Sequence, residues 1–576
     1  MRVADYIFEQ FLKYKIETIF CVTGRGSLYL NDAIEKNKKL KKFFFHHEQS
    51  AAYAACTHSQ ITNKPSICLV STGVGSTNAI SGLLSAWQDG IPCIFISGQN
   101  ILEETTNFTK KKIRTFGQQE ANIIPIIKSI TKYSTMLTSI KNLQVTLDNA
   151  FKLSMTGFKG PVWIDVPLNL QNAIINRKLN IKFKLNNEKN KFKNFNYIIS
   201  SLKKAKKPLV LIGRGVKSSA AEKNLKKFLN KNKIPLVYTN SAPDTYGLNN
   251  KYCIGSIGSQ GCSRAGAYAV RRSDFLLVLG SRINSHTTGL DFKEFAPKAN
   301  IFVVDIDRTE HSKKGIPVKK FINMDINFFL KKILNFSFKF SWERWLMKNL
   351  KNKKKLPFYN PAENEKNRIG LYYLSDKLSK TMPNNSTFIC DSGFIDVILP
   401  TNISFSNKQI CIHPASQGAM GFAIPAIIGA YAQNKNQNII SVIGDGSFAM
   451  NLQELITIKY YNINAKIIVI NNDLYGIIRR RQQQLFRNRT TGTDETNGLG
   501  GYNIKKISST FGYKYFRLNK KKDLEKDLKN IFELNSPIIC EIIGLKNQNY
   551  IEMGVDINDN GKLIKLPIDD QFPRIK

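Results

Sequence analysis

The stretch 442–473, VIGDGSFAMNLQELITIKYYNINAKIIVINND, puts oxygen-bearing side chains at two successive strand ends. A β-branched run stops at Gly444-Asp445-Gly446, a helical stretch follows, and a second apolar run stops at Asn471-Asn472-Asp473. Open parallel sheets gather ligands at the carboxyl ends of their strands, and the amides of a helix start suit a phosphate. Asp445 would repel that phosphate unless a cation stood between them. Magnesium resolves the conflict, because it prefers octahedral oxygen ligands and commonly joins one or two protein oxygens to a diphosphate. Between Gly446 and Asn472 lie 25 residues, room for one helix and the return strand AKIIVI. That brings Asn472 to the same sheet edge, where an amide oxygen ligates without adding charge. A Gly-Asp-Gly turn alone is equally well a capped helix start; the spacing and the terminal Asn pair make the metal reading specific.

Such a motif needs βα units to hold it. An apolar run ending in Gly-x-Gly and opening into a helical pattern occurs three times, at Gly24/Gly26, Gly213/Gly215 and Gly444/Gly446. Strands alternating with helices of this length predict parallel sheets. Two charged stretches without apolar period, 176–196 and 346–367, read as seams. The sequence therefore predicts an α/β protein of three doubly wound parallel-sheet domains, near 1–175, 190–345 and 366–576, its last 30 residues an extended tail over the body.

Composition narrows the function classes. Lys and Arg number 85 against 43 acids, a formal net charge of +42. A nucleic-acid binder concentrates such charge in a patch with interleaved aromatics; here lysine runs along the whole chain beside Asn and Ile, which counts against that partner. No apolar run approaches the roughly 20 residues of a membrane span, and the first 20 residues carry acids within their apolar stretch, unlike a signal peptide. The nine cysteines show no metal-ligand spacing, so reduced, buried thiols in a cytoplasmic protein are expected. GxSxG, Walker A and HExxH patterns are absent.

The 442–473 segment resembles the diphosphate-binding motif of the thiamine diphosphate (ThDP) enzymes. That resemblance implies Asp445, Asn472 and the carbonyl near Leu474 as magnesium ligands, with Ser447 and the amides about Gly444 and Gly446 on the diphosphate. It also implies a glutamate in the first domain, and FFFHHEQSAAYAAC supplies Glu48 at a strand end before a small-residue helix. In the family this carboxyl group bonds the cofactor's aminopyrimidine ring and assists its deprotonation; alone, Glu48 is an acid favoured by a helix dipole.

Further stretches narrow the likeness to the large, catalytic subunit of acetolactate synthase. STGVGSTNAISG implies cofactor contacts from Thr72, Gly73, Thr77 and Asn78, and QGAMGFAIPAIIGA implies a thiazolium prop at Met420. LGSRINSHTTG and VVDIDRTEHSKK resemble that group's middle domain, where Arg282 and Asp305 would face FAD. Gln119 and Gly26 are then candidates for orienting a substrate carbonyl and for close backbone approach.

Four positions depart from that group. Its Pro-Gly-Gly-Ala turn is Thr23-Gly24-Arg25-Gly26, its Phe-Gln-Glu is Gln118-Gln119-Glu120, its acceptor-pocket tryptophan falls on Arg481, and its Gln-His pair is Phe394-Ile395. Arginine suits carboxylate or phosphate oxygens, so Arg25 and Arg481, with Gln118, are candidates for a larger anionic acceptor. The expected activity is a ThDP- and magnesium-dependent decarboxylating carboligase on a 2-oxo acid, pyruvate first. Transfer to a nucleotide-linked keto-sugar and simple decarboxylation stand as alternatives. The resemblance implies a homodimer or tetramer and leaves a small regulatory subunit open.

Overall fold

The computed structural model describes residues 1–175, 195–289, 291–336, 338, 342–356, 365, 367–406, 408–553, 555–557 and 563–574. The 176–196 seam lies largely outside them, the 346–367 seam in part, and so do the expected domain starts at 190 and 366.

Three six-stranded parallel sheets carry the chain. In the first, β1 (Thr18–Cys21), β2 (Lys41–Phe44), β3 (Ile67–Val70), β4 (Ile94–Gln99), β5 (Tyr133–Met136) and β6 (Val162–Pro167) lie in the order β2-β1-β3-β4-β6-β5. The second holds β7 (Pro208–Ile212), β8 (Leu236–Thr239), β9 (Cys253–Ile257), β10 (Phe275–Leu279), β11 (Asn300–Asp305) and β12 (Val318–Asn323), ordered β12-β11-β10-β7-β8-β9. The third, of β13 (Ser386–Cys390), β14 (Ile410–Ile412), β15 (Asn438–Gly444), β16 (Ala465–Asn471), β17 (Lys514–Leu518) and β18 (Ile538–Ile543), repeats the first sheet's order as β14-β13-β15-β16-β18-β17. Most inner strands are buried along their whole length, which is why they read as continuous Ile/Val/Leu runs rather than alternating ones.

Strand order reverses between β1 and β3, between β7 and β10, and between β13 and β15. At such switch points neighbouring loops diverge and leave a crevice at the carboxyl edge. The segments there are 22–26 and 71–73 in the first sheet, 213–215 and 280–282 in the second, and 391–393 and the helix start 445–447 in the third.

The outer two sheets share one apolar core on their facing sides and each has a second core of its own, whereas the central sheet's core is separate. The join is a helix pair. Helix Glu48–Thr62, with Ala51, Ala52, Ala54 and Ala55 fully buried, packs on Ala423–Gln433. A Cβ at Gly429 would lie 2.3 Å from the Ala54 carbonyl oxygen, so the two backbones touch. The tail rests on the central domain: Glu552–Met553 pairs with Gln571–Phe572, Ile568 enters the central core, and Asp569 bonds Arg271. All nine cysteines are buried free thiols. No helix among the described residues is long and apolar enough to cross a membrane.

Placing a methyl group into that helix contact forces the backbones apart, which in packed cores costs about 1–3 kcal/mol. Gly429→Ala is therefore expected to lower the calorimetric Tm by several degrees; an unchanged Tm would show that the helices have slack.

Candidate active site

In the third sheet, β15 ends at Gly444 and Asp445 opens the next helix. One carboxylate oxygen of Asp445 accepts the Gly446 amide at 2.9 Å and the other the Asp473 amide at 2.9 Å. Burial pushes this carboxyl up to about 6, with Asp473 adding repulsion, against the lowering by those amides. A desolvated carboxylate in that state favours a cation beside it. Asn472, at the end of β16, makes no side-chain hydrogen bond to another described residue, which leaves its amide oxygen available. Leu474 is buried one residue past Asp473. A carboxylate, an amide oxygen and a backbone carbonyl form a hard, all-oxygen donor set suited to magnesium.

Around it the loops are drawn tight. The Tyr475 ring covers Gly446 so closely that a Cβ there would lie 2.0 Å from it. Phe394 packs against Gly476, and Ile395 faces Gly444, so the two departures from the family's Gln-His pair put apolar rather than polar groups beside the Gly444 turn. Ser447 is buried beside Asp391, a residue not singled out above. Asp391, at the end of β13, accepts the amides of Ser392 (2.9 Å), Gly421 (3.1 Å) and Ala423 (2.8 Å). It ties the strand end to the start of Ala423–Gln433, with half-buried Met420 directly before the anchored Gly421 amide. Its signal in the sequence was the one that marked Asp445, an acid directly after an apolar run.

Cys390, Asp396 and His413 are the one His/Cys/Asp/Glu trio among the described residues close enough to hold a metal. Both His413 nitrogens are already engaged, Nδ1 with Asp396 at 2.5 Å and Nε2 with the Asn240 carbonyl at 3.0 Å. With Asp396 opposite, His413 is held above the usual histidine range despite its burial. His413 and Asp396 form an ion pair within the third domain, which the Asn240 carbonyl ties to the central domain.

In the first sheet, Glu48 opens its helix, capped by His47. Its Oε2 accepts from Asn78 Nδ2 at 3.0 Å, and its Oε1 fills the space a side chain at Gly75 would need. The Gly26 amide donates to Ser71 Oγ at 3.1 Å. Gly73 has φ +62°, and a Cβ there would lie 2.1 Å from the Gln119 carbonyl oxygen; only glycine fits both demands. Glu48, Thr72, Gly73, Asn78, Gly26 and Gln119 are thus brought to one switch point. Thr77 stays on the same short helix, its hydroxyl on the Val74 carbonyl at 3.3 Å.

Arg25 donates to Gln118 Oε1 at the exposed rim of this crevice. Arg481 does not join them: it is exposed, with its own helix neighbour Gln484 as partner at 3.3 Å. Its neighbours are committed elsewhere, Arg479 to Asp494 and Arg480 to Glu552 and the Tyr550 ring. Among the described residues no hydrogen bond or ion pair joins Glu48 to Asp445.

A buried chain supports the first-sheet loops. Asp165, fully buried on β6, accepts from Ser97 Oγ at 2.6 Å and from Gln99 Nε2 at 3.1 Å. Gln99 Oε1 accepts from Thr72 Oγ1 at 2.7 Å and from the Asn100 amide at 3.0 Å. Asn100 Nδ2 in turn holds the Gln118 carbonyl at 3.0 Å. The sequence reading passed over Asp165, although an acid inside the apolar run VWIDVP was a visible signal.

The central switch point is closed by its own chain. Cβ atoms at Gly213 and Gly215 would lie 2.3 Å and 2.6 Å from Gly280 atoms. Arg282 donates to the Gln88 carbonyl at 2.6 Å and to Ser416 Oγ at 2.7 Å, bracing the outer domains. Asp305 caps the Asp307 amide at 3.1 Å and stands 3.5 Å from His311. Both residues expected at a flavin, Arg282 and Asp305, are therefore engaged by protein partners.

Comparison with known proteins agrees with this geometry. The thiamine pyrophosphate enzyme N-terminal TPP binding domain matches residues 1–125, the central domain 195–333 and the C-terminal TPP binding domain 391–542. The acetolactate synthase large subunit of Cyanidium caldarium is 28% identical over 97% of this chain and 96% of its own length. That of Lactococcus lactis subsp. lactis is 27% identical, covering 93% and 92%. The acetolactate synthase isozyme 2 large subunit of Escherichia coli is 27% identical, covering 94% and 95%.

Burial raises the Asp165 carboxyl to about 7. A carboxyl raised on folding lends stability below its unfolded pKa, near 3.9, and loses it as pH rises through the folded value. Wild-type Tm is expected to fall between pH 5 and 8 more steeply than that of Asp165→Asn; equal slopes would mean that Asp165 is not the titrating group.

Proposed function

The chain belongs to the thiamine pyrophosphate enzyme family, is a ThDP-dependent enzyme of acetolactate synthase type, and on that premise we propose its reaction in detail. It decarboxylates a 2-oxo acid, pyruvate in the first place, with magnesium and ThDP, and joins the two-carbon unit to a second carbonyl compound. The observation that carries this reading is the pairing of Asp445, desolvated and held by amides, with the Asn472 side chain just past the next strand end, which has no hydrogen-bond partner among the described residues.

ThDP, when bound, supplies a carbon nucleophile and an electron sink for loss of carbon dioxide. The chain's own residues bind, orient and move protons. Asp445, Asn472 and the Leu474 carbonyl would hold magnesium, and Ser447 with the Gly444–Gly446 turn would receive the diphosphate. Thr72, Gly73, Thr77 and Asn78 would line the opposite half, with Met420 as the prop. Glu48, its carboxylate aimed by Asn78, would exchange a proton with the cofactor ring. Gly26 admits the substrate to the backbone, and Gln119, pressed onto Gly73, would orient its carbonyl. No step is routed through a flavin.

Two finer readings go with this. The Arg25–Gln118 contact at the rim supports an anionic acceptor, the nucleotide-linked keto-sugar being one of that class; Arg481 is exposed and does not reinforce it. Glu48 and Asp445 make no direct contact within one chain, which supports sites assembled between two copies in a homo-oligomer. The relatives' designation as large subunits is the ground for proposing a smaller partner as well.

Carbon NMR of the protein with labelled pyruvate, magnesium and ThDP should show carbon dioxide release and a new carbon–carbon bond; acetaldehyde as sole product, with keto-sugars also offered, would replace the carboligase by a decarboxylase. Asp445→Ala should weaken magnesium-dependent ThDP binding by more than the roughly 10–100-fold typical of outer-shell changes; normal binding would sink the assignment. Glu48→Gln should keep ThDP binding and lower turnover about 10²–10⁴-fold, whereas unchanged turnover would remove Glu48 from the proton path.

A further inference from the structure

Away from the first and third switch points and beside the central 213–215 loop, the three domains meet around a cavity of about 620 Å³. Its walls come from the end of helix Glu48–Thr62, from the 214–226 segment of the central domain with Asp244–Tyr246, and from β14. That volume lies within the roughly 300–1,000 Å³ of small-molecule pockets.

The charge on its walls is unbalanced. Arg214, Lys217, Lys223 and Lys226 line it against two acids, Glu222 and Asp244. Asp244 is already engaged, contacting Lys217 and accepting the Cys411 amide at 2.7 Å. Partly buried Arg214 has only neutral partners among the described residues. Its Nη2 lies 3.4 Å from the Gln60 carbonyl, and turning the Gln60 amide gives contacts of 2.8 and 2.9 Å to its oxygen. Burial lowers this guanidinium from its usual range, against the raising by Asp244 and Asp89, neither of which it bonds directly. Lys223 and Lys226 are exposed and form no ion pair among the described residues. They stand on the first turns of helix Glu222–Asn232, whose N-cap, Ala221, offers no side-chain cap, so backbone amides add to the field.

The size and lining point to an organic ligand rather than a bare ion: half-buried Ile61 and Ile410 give the cavity an apolar wall against which a ring can lie.

We propose that this three-domain crevice binds a phosphorylated organic anion of nucleotide size, its phosphates on Arg214, Lys223 and Lys226 and its ring on the apolar wall. Such a ligand would clamp the central domain to both outer ones. Gln60 lies twelve residues along the helix from Glu48, about 18 Å away, so the crevice is separate from the reaction centre. The proposal is independent of the reaction assigned above.

The test is calorimetric titration of the full chain, with magnesium and ThDP present to fill the cofactor site, using ADP, inorganic phosphate and citrate as separate probes. Saturable ADP binding at one per chain is expected, with phosphate and citrate at least about tenfold weaker, a difference of about 1.4 kcal/mol. The exposed double variant K223A/K226A should weaken ADP at least about tenfold and R214Q likewise; should R214Q fail to fold, the double variant decides. Absence of saturable ADP binding, citrate or phosphate binding as tight as ADP, or an undiminished affinity in K223A/K226A would each overturn the proposal.

Discussion

The contact between helices Glu48–Thr62 and Ala423–Gln433 is the constraint on which both outer domains depend. Dispersion and burial act fully only when surfaces meet without gaps, and these helices meet at backbone distance because alanines face glycine. The contact merges the apolar sides of two sheets into one core. It also fixes the end of the helix that carries Glu48: Ser50 bonds Asn451 at 2.9 Å, and the His46 amide bonds Glu454 at 3.2 Å. The Glu48 carboxyl group is therefore aimed by close helix packing, in which alanines and Gly429 meet at backbone distance beside the Tyr53–Phe422 ring pair.

Both candidate half-sites are built on one physical plan. A strand ends at a topological switch point, a short loop turns away, and buried acids organise the loop amides. Asp391 and Asp445 do this in the third sheet, and Asp165 does it through Gln99 in the first. Burying a carboxylate is costly unless hydrogen bonds compensate, and here each acid accepts two or three. That cost keeps the loops from relaxing and leaves Asp445 suited to a cation. The central sheet reverses in the same way, yet its crevice is closed by glycine-to-glycine contact and by Arg282 bonding to its neighbours.

The large positive charge is handled locally. Arg480 is taken up by Glu552 and Tyr550, Arg479 by Asp494, and Arg271 by Asp569 and Glu294. Cations left without an acid are informative by contrast. Arg25 bonds Gln118 at the rim of the first-sheet crevice, and Arg214 at the three-domain cavity bonds only Gln60 among the described residues, with Asp244 and Asp89 acting at longer range.

The sequence by itself determined the α/β class, the three parallel sheets and the chemical character of the 442–473 motif. These follow from local patterning: β-branched runs, Gly-x-Gly turns, and polar residues at strand ends bear on immediate neighbours and are legible in one dimension. It also marked Glu48, Asp445 and Asn472 as residues whose position at strand ends invites chemistry. Only the tertiary structure decided which residues share a crevice. It joined Arg25 to Gln118 and left Arg481 in solvent, committed Arg282 and Asp305 to protein contacts, and laid the tail on the central domain. It also exposed Asp391 and Asp165 as organisers and opened a cavity walled by segments more than 150 positions apart. Those outcomes depend on strand order and domain docking, whose long-range contacts leave no periodic trace in the chain.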